Sequence, residues 1–427
     1  MTTQVTALAA KNRFLKSPEK TQRKSTLFEK LFVNRLGPLK NGAIHLAAPG
    51  GHYLLGDGQA DLQVQMHVND SAFFQSVATG GSVGAAESYM AGEWHCSDLT
   101  ALVRILVRNQ DLLDGMEGGV ATVAGWLLKT VHQFHKNNRS GSRRNIAAHY
   151  DIGNDLFELF LDKEWMMYSS ALYRTGDESL AQAQELKLAR LCDKLDLKPS
   201  DHLLEIGTGW GGAAIFAAQN YGCRVTTTTI SEEQYKLAVE RIAGAGLSDK
   251  ITVLLEDYRD LDGQYDKLLS IEMVEAVGHQ FLDGYFKQCQ QLLKPDGLGA
   301  IQAITIEDHR YKQALNSVDF IKRYIFPGSF IPCVSVLTGS AAKAGLRLTN
   351  LEDIGPSYAL TLQDWRERFM DQLDQVRELG YSEAFIRMWE FYLCYCEGGF
   401  RERSISDVHL LFAASENRRE QWIPGGE

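Results

Sequence analysis

Disulfide-forming spacing is missing. The seven cysteines are odd in number, scattered, and contain no C-x-x-C pair, which argues against a disulfide framework and for a reducing compartment. Long apolar runs are missing too. No stretch approaches the ~18 residues that a membrane span needs. The opening "MTTQVTALAAKNRF" lacks the apolar core of a signal peptide. A cytoplasmic protein is expected, one that meets a membrane only from its inner face. Positive charge is in deficit, with a formal net charge of -10, which argues against general nucleic-acid binding as the main role. No metal cluster is visible: His132 and His135 stand three apart with no Cys or carboxylate cluster beside them, and read as ordinary helix residues. Internal repeats and low-complexity tracts are also absent.

What is present begins with an asymmetry. Lys11, Arg13, Lys16, Lys20, Arg23, Lys24, Lys30, Arg35 and Lys40 face only Glu19 and Glu29 in the first 40 residues, and "HKNNRSGSRR" adds Lys136, Arg139, Arg143 and Arg144. "STLFEKLFVNRL" spaces Leu27, Phe28, Leu31 and Phe32 along one helix face. That helix either docks on the first domain or touches anionic lipid. Residues 41–70 alternate as strands around Pro49-Gly50-Gly51, and helical text follows. These features predict a small α+β domain over residues 1–140. From residue 141 to 427 helices and strands alternate, which predicts a doubly wound, largely parallel α/β sheet. Within it "SEEQ" carries a capping-box-like Ser231 and Gln234, and "LDGYFKQCQQLLKPDG" reads as a helix stopped by Pro295 and Gly297.

"LLEIGTGWGG" (203–212) fits two glycine fingerprints, one for nicotinamide dinucleotides and one for S-adenosylmethionine (SAM). Either way a strand, a Gly turn and a helix N-terminus meet the ligand. Three neighbours favour SAM. Glu205 ends the strand, where a carboxylate reaches the amino group of a methionine moiety. The acid that a dinucleotide ribose needs about 20 residues on is missing from "TTTTIS". "LLEDYRDL" and "LLKPDG" follow at the spacing SAM methyltransferases use.

Six blocks then carry a resemblance: "AAHYDIGNDLFELFLDKEWMMYSSALY", "LLEIGTGWGG", "TISEEQ", "IEMVEAVGHQF", "RYIFPGSFIP" and "LEDIGPSYALTLQDW". In this order they resemble the cyclopropane-fatty-acyl-phospholipid synthases and their methyltransferase relatives, and "AAESYMAGEW" resembles that family's lipid-side domain more loosely. The resemblance implies a Rossmann-like class I SAM methyltransferase domain behind a smaller lipid-side domain. It implies methyl transfer from SAM to the cis double bond of an unsaturated acyl chain on a membrane phospholipid. For SAM it assigns Tyr168, Ser169, Glu205, Gly207, Gly209, Thr229, Ile230 and Gln234, with Asp257 and Tyr258 at the adenine. His149 and Asp151 match a motif that closes over the site. The transfer leaves a carbocation, so aromatics in the matching blocks (Tyr168, Tyr173, Tyr324, Phe326, Tyr358) are candidates to face it. In the family a bound bicarbonate removes the proton that closes the ring. Glu275, Tyr358 and the Ile304 backbone match its pocket. Ser170 and Gln302 stand where many members carry Cys and some carry His, and both can still hydrogen-bond an oxyanion. Another route of deprotonation gives a methyl- or methylene-branched chain instead.

Since a phospholipid chain stays in its bilayer, the basic segments are expected to hold the enzyme on an anionic membrane surface. The apolar, Pro- and Gly-broken stretch within 307–345 is expected to form the acyl channel. A homodimer is a further expectation of the resemblance. Two other readings remain: a catalytically silent lipid-binding scaffold, disfavoured by the intact Glu205, glycines and Glu275, and a heteroatom methyltransferase, disfavoured by the extra domain.

Overall fold

The computed structural model describes residues 24–114 and 153–420. The domain boundary drawn near residue 140, the basic run 136–144, the pair His132 and His135, and His149 with Asp151 all lie outside the described residues.

The smaller unit opens with helix α1 (Leu27–Leu36), then strands β1 (Ala43–Ala48), β2 (Gly51–Gly56) and β3 (Gln63–Val68). Helix α2 (Ala72–Met90), strand β4 (Trp94–Cys96), helix α3 (Leu99–Arg108) and the short α4 (Gln110–Asp114) complete it. Its strands lie in the order β2-β1-β3-β4. The alternation read in "QVQMHV" is real: Val64, Met66 and Val68 point into the core, and Gln63, Gln65 and His67 point out. The α+β character expected of this region is therefore observed.

The larger unit continues with α5 (Asn154–Phe160), α6 (Leu180–Leu195), β5 (His202–Ile206), α7 (Gly212–Tyr221), β6 (Arg224–Thr228), α8 (Glu232–Gly244), β7 (Ile251–Leu254) and β8 (Tyr265–Ile271). After these come α9 (Leu282–Leu292), β9 (Leu293–Ile306), α10 (Tyr311–Asn316), α11 (Val334–Lys343), β10 (Arg347–Asp353), α12 (Gly355–Asp371), α13 (Leu373–Glu378), α14 (Glu383–Arg401) and β11 (Ile405–Ala413). The strand order is β10-β11-β9-β8-β5-β6-β7, and only β11 runs antiparallel to its neighbours. The chain winds outward from β5 to β7, then returns to β8 on the other side of β5. The winding direction therefore reverses between β5 and β8, and ligand crevices open at such switch points beyond the carboxyl ends of the strands. This is the doubly wound, Rossmann-like sheet expected.

Two local expectations shift. Ser231 Oγ accepts from Gln234 N at 3.3 Å, but the Gln234 side chain accepts from Thr229 Oγ1 instead of closing a capping box. Helix α9 ends at Leu292, before Pro295, and "KPDG" becomes an irregularity inside β9: Leu293 pairs with Tyr265 and Leu298 with Lys267. Pro295 has no N–H to give a ladder, so this stretch buckles out of it.

The two units do not keep separate cores. Phe73 and Phe74 of α2 and Ile105 of α3 share one apolar cluster with Phe157 and Phe160 of α5, Trp365 of α12 and Trp389 of α14. Two further clusters lie on opposite faces of the large sheet. One packs under α6 and α7, the other under α9 and α11.

Candidate active site

The turn after β5 is shaped by its glycines. Gly207 adopts φ 101°, a conformation that strains any side chain. At Gly212, the first residue of α7, a Cβ would lie 2.1 Å from the Trp165 carbonyl, so the helix is seated against the chain on bare backbone. Gly207 and Gly209 line a cavity of about 770 Å³, together with Tyr168, Ser169, Glu205, Thr229, Ile230, Gln234, Asp257 and Tyr258. All ten residues assigned to SAM thus border one space. Thr229 is fixed by Gln234 at 2.8 Å. Asp257 caps the turn after it, accepting from Arg259 N at 3.1 Å and Arg259 Nε at 2.8 Å. Glu205 is buried and accepts from Thr227 Oγ1 at 2.6 Å. Burial pushes its carboxyl up to about 8, against the pull of Thr227 and of the Lys187 ammonium. A buried carboxylate of this kind gains from a cation nearby, and a methionine ammonium supplies one. The residues present therefore fit SAM.

Lys187 was not legible as a site residue. It is fully buried on α6, donates to Ser169 Oγ at 2.8 Å, and is pulled down to about 8 by burial, against the opposing charges of Glu272, Asp407, Asp162 and Glu205.

The second half of the site gathers the residues assigned to bicarbonate, but around a different anion. Glu272, the first residue after β8, places its carboxylate among them. Its Oε1 accepts from Ser170 N at 2.7 Å and Gln302 Nε2 at 2.9 Å, and its Oε2 accepts from the Tyr358 hydroxyl at 2.7 Å. Ile304 N donates to Glu275 Oε1 at 2.6 Å. Two details differ from expectation. The Ser170 hydroxyl turns away and donates to the Ala171 carbonyl at 2.9 Å, so only its backbone N–H serves the pocket. Gln302 is fully buried behind Glu272, where it also donates to Asp407 Oδ2 at 2.7 Å. The donors that were to hold bicarbonate already hold carboxylates of this chain. A second anion there would meet like charges in a dry site, so bicarbonate does not fit.

Burial raises Glu272 above the ordinary carboxylate range, opposed by Tyr358 and the Ser170 N–H. It raises Asp407 as well, with the Glu272 charge adding to the effect. Glu275 is pushed up to about 8 by burial and by Glu272. Its Oε2 is buried with no partner among the described residues.

The same cavity continues away from these polar groups into apolar surroundings. Phe326, Ile321 and Phe330 line it from the stretch after α10, and Phe73, Val77, Leu102 and Leu106 line it from the smaller unit. Within 307–345 the lining runs from Arg310 to Ile331, while α11 packs against α9 away from the cavity. Of the five aromatics proposed to face a cation, Tyr168, Phe326 and Tyr358 line the cavity. Tyr173 is tied to Asp364 at 2.6 Å and Tyr324 to Glu87 at 2.5 Å, and neither borders it. Helix α14 supplies Tyr392 and Phe400 in their stead. Tyr392 meets the Tyr168 hydroxyl at 2.9 Å, and Phe400 stacks on Tyr358 with ring centres 4.4 Å apart.

Comparison with known proteins places this site in context. The family described as mycolic acid cyclopropane synthetase matches residues 137–410. Tuberculostearic acid methyltransferase UfaA1 of Mycobacterium tuberculosis is 41% identical over 342 residues, covering 77% of this chain and 78% of that protein. The cyclopropane-fatty-acyl-phospholipid synthase of Escherichia coli K12 is 36% identical over 373 residues, covering 87% and 92%. Among solved structures, the mycolic acid cyclopropane synthase CmaA1 in complex with SAH and CTAB superimposes with a TM-score of 0.60 at 28% identity, over 64% of this chain and 98% of that one.

Proposed function

The chain belongs to the cyclopropane synthase family of SAM-dependent methyltransferases, and from that premise we propose that it methylates the cis double bond of an unsaturated acyl chain on a membrane phospholipid. The observation that carries the reading is the single cavity. At one end it holds the glycine turn and Glu205, and at the other it runs into apolar surfaces contributed by both units. A heteroatom methyltransferase has no use for such a greasy extension.

When bound, SAM would supply an electrophilic methyl on a sulfonium whose leaving group is a neutral thioether. The chain's own residues do the rest. Glu205 and the glycine turn orient the donor. Phe326, Leu102 and their neighbours keep the alkene dry, which guards a carbocation against water. Tyr168, Tyr358, Tyr392 and Phe400 offer π faces to that cation, each worth ~1–2 kcal/mol when desolvated. Loss of a proton from the added methyl then gives the cyclopropane. The branched chain is the second reading, supported by the kinship with UfaA1, whose name speaks of a methyltransferase and not of a ring.

The membrane is reached from outside: no described helix is long and apolar enough to cross one. Leu27 and Leu31 of α1 stand exposed beside Lys24 and Lys30. This supports peripheral binding to an anionic surface at ~1 kcal/mol per basic residue. The test is direct. Purified protein, SAM and vesicles of unsaturated phospholipid should yield acyl chains heavier by one CH2, with ring and branch told apart by NMR. SAM binding without any mass gain would overturn the reading and point to the silent scaffold.

A further inference from the structure

We infer that Glu272 is the base that receives the proton lost by the methylated chain, in place of the bicarbonate implied by the family resemblance. The inference rests on the lipid-methylation reading above and deepens it.

Position comes first. Glu272 follows β8 directly, at the switch point beside β5, and lines the cavity together with Gly207 and Tyr358. Its backbone lies at φ 47°, a left-handed conformation that is strained for a residue with a side chain. The neighbours hold it there: Glu272 N donates to the Gln302 carbonyl at 2.9 Å while the carboxylate takes three donors. A strained residue fixed this firmly at a ligand cavity calls for a role beyond filling the turn.

Charge comes second. Three acidic groups crowd this corner: Glu272 after β8, Glu275 in the turn beyond it, and Asp407 on β11. Lys187 faces them from α6, Tyr358 from α12 and Gln302 from β9. They cannot all ionise in a dry site. Glu272 has the Ser170 N–H, the Gln302 amide and the Tyr358 hydroxyl. Asp407 has the Gln302 amide and a hydrogen bond shared with Glu272 itself, and its Oδ1 is buried without a partner among the described residues. The negative charge therefore settles on Glu272, and Asp407 and Glu275 keep their protons. Oε2 takes the Tyr358 hydroxyl, and a carboxylate oxygen accepts about two hydrogen bonds. Acceptor capacity thus remains on an anion that borders the cavity.

The step balances. The alkene π pair forms the new C–C bond to the methyl, the C–S pair stays with the departing thioether, and the adjacent carbon becomes cationic. A C–H bond of the added methyl then breaks. Its electron pair closes the ring onto the cation or, after a hydride shift, forms a C=C bond, and its proton goes to Glu272 Oε2.

The experiment uses the full chain, SAM and dioleoylphosphatidylglycerol vesicles, with lipid mass, kcat and SAM Kd as readouts. Wild type should keep its rate in CO2-free buffer. Glu272→Gln should lose kcat by about 100-fold or more, the scale of general-base catalysis, with SAM Kd held. Glu272→Gly suits the left-handed backbone and empties the carboxylate position, so added bicarbonate should restore much of its activity, which a structural role would not allow. A wild type that adds CH2 but stops without CO2 overturns the assignment alone. So does a Glu272→Gln enzyme that keeps most of its kcat, or a SAM-binding Glu272→Gly enzyme that bicarbonate fails to rescue. A wild type that adds CH2 to no unsaturated lipid overturns the methylation reading, and this inference with it. If the variants fail to fold, the CO2-free arm on wild type still decides.

Discussion

Glu205 and Glu272 occupy comparable places. One sits near the end of β5, the other just past the end of β8, the two strands are paired neighbours, and both side chains line one cavity. Burial raises both above the usual carboxylate range. They differ in company. Glu205 takes a single hydroxyl, from Thr227, whereas Glu272 takes two N–H groups and a tyrosine hydroxyl. A buried carboxylate with one weak donor is a site for a cation still to come. One with three donors is an anion stabilised by its own chain. On the proposed reading, the same fold edge divides donor binding from proton handling between adjacent strands.

Substitutions at the two positions should fail differently. Glu205→Gln is expected to weaken SAM binding by about 10- to 100-fold, since a charge-assisted hydrogen bond contributes ~1.5–3 kcal/mol. Glu272→Gln should leave that affinity alone and lose kcat instead. Calorimetric titration of SAM into both variants checks this. Equal loss of affinity in the two would erase the division.

The apolar end of the cavity offers the next break. Phe326 lines it, with ring centres 6.4 Å from Tyr168 and 6.1 Å from Tyr392. Phe326→Asp places an unpaired charge where the acyl chain should lie. Turnover of vesicle lipid is expected to drop by about tenfold or more, with SAM Kd unchanged. Parallel loss of both would mean that Phe326 belongs to the donor end.

A smaller effect follows from pH. Glu205 and Glu275 are both pushed up to about 8 from an ordinary 4.5. The folded state thus binds their protons more tightly than the unfolded chain. The associated stability is complete below the unfolded value and is lost as pH rises through about 8. Melting of the ligand-free protein should therefore fall between pH 6 and pH 9. Glu205→Gln should flatten that slope, and saturating SAM should flatten it in the wild type. A slope that both leave untouched would show that Glu205 is not held near neutrality by burial.

Much of this was legible in residue order. The two-period alternation of "QVQMHV" and the strand–helix alternation after residue 141 are local signals, and the strand alternation and the doubly wound sheet they predict are both observed. The donor end was legible because its residues come in short contiguous motifs around a Gly turn. The proton-handling end was not. "IEMVEAVG" displays Glu272 and Glu275 three residues apart, and spacing favours neither. What distinguishes them is a set of donors brought from positions 170, 302 and 358 by sheet packing. Lys187 in "ELKLARL" looks like a solvated helix lysine. Only the turn of α6 toward Ser169 buries it. Tyr392 and Phe400 read as ordinary helix aromatics until α14 packs across the cavity.

Helix α1 yields the mildest contrast, within a single element. The stripe of Leu27, Phe28, Leu31 and Phe32 reads as one face, yet the structure splits it. Phe28 and Phe32 pack on the core, while Leu27 and Leu31 are 70% and 53% exposed. The helix is also pinned from below: buried Glu29 accepts from Gly50 N and from the Tyr53 hydroxyl, each at 3.1 Å. Docking and membrane contact therefore need not compete, because they use different sides. Leu27→Ser with Leu31→Ser removes apolar contact without touching the docked side. Binding to anionic vesicles should weaken, and activity at dilute lipid should fall by about two- to fivefold, as reversible interfacial helices lose affinity with apolar area. At saturating lipid the rate should return, because the cavity is untouched. A loss that persists at saturation would tie α1 to the acyl channel, where Phe32 and Leu36 already reach.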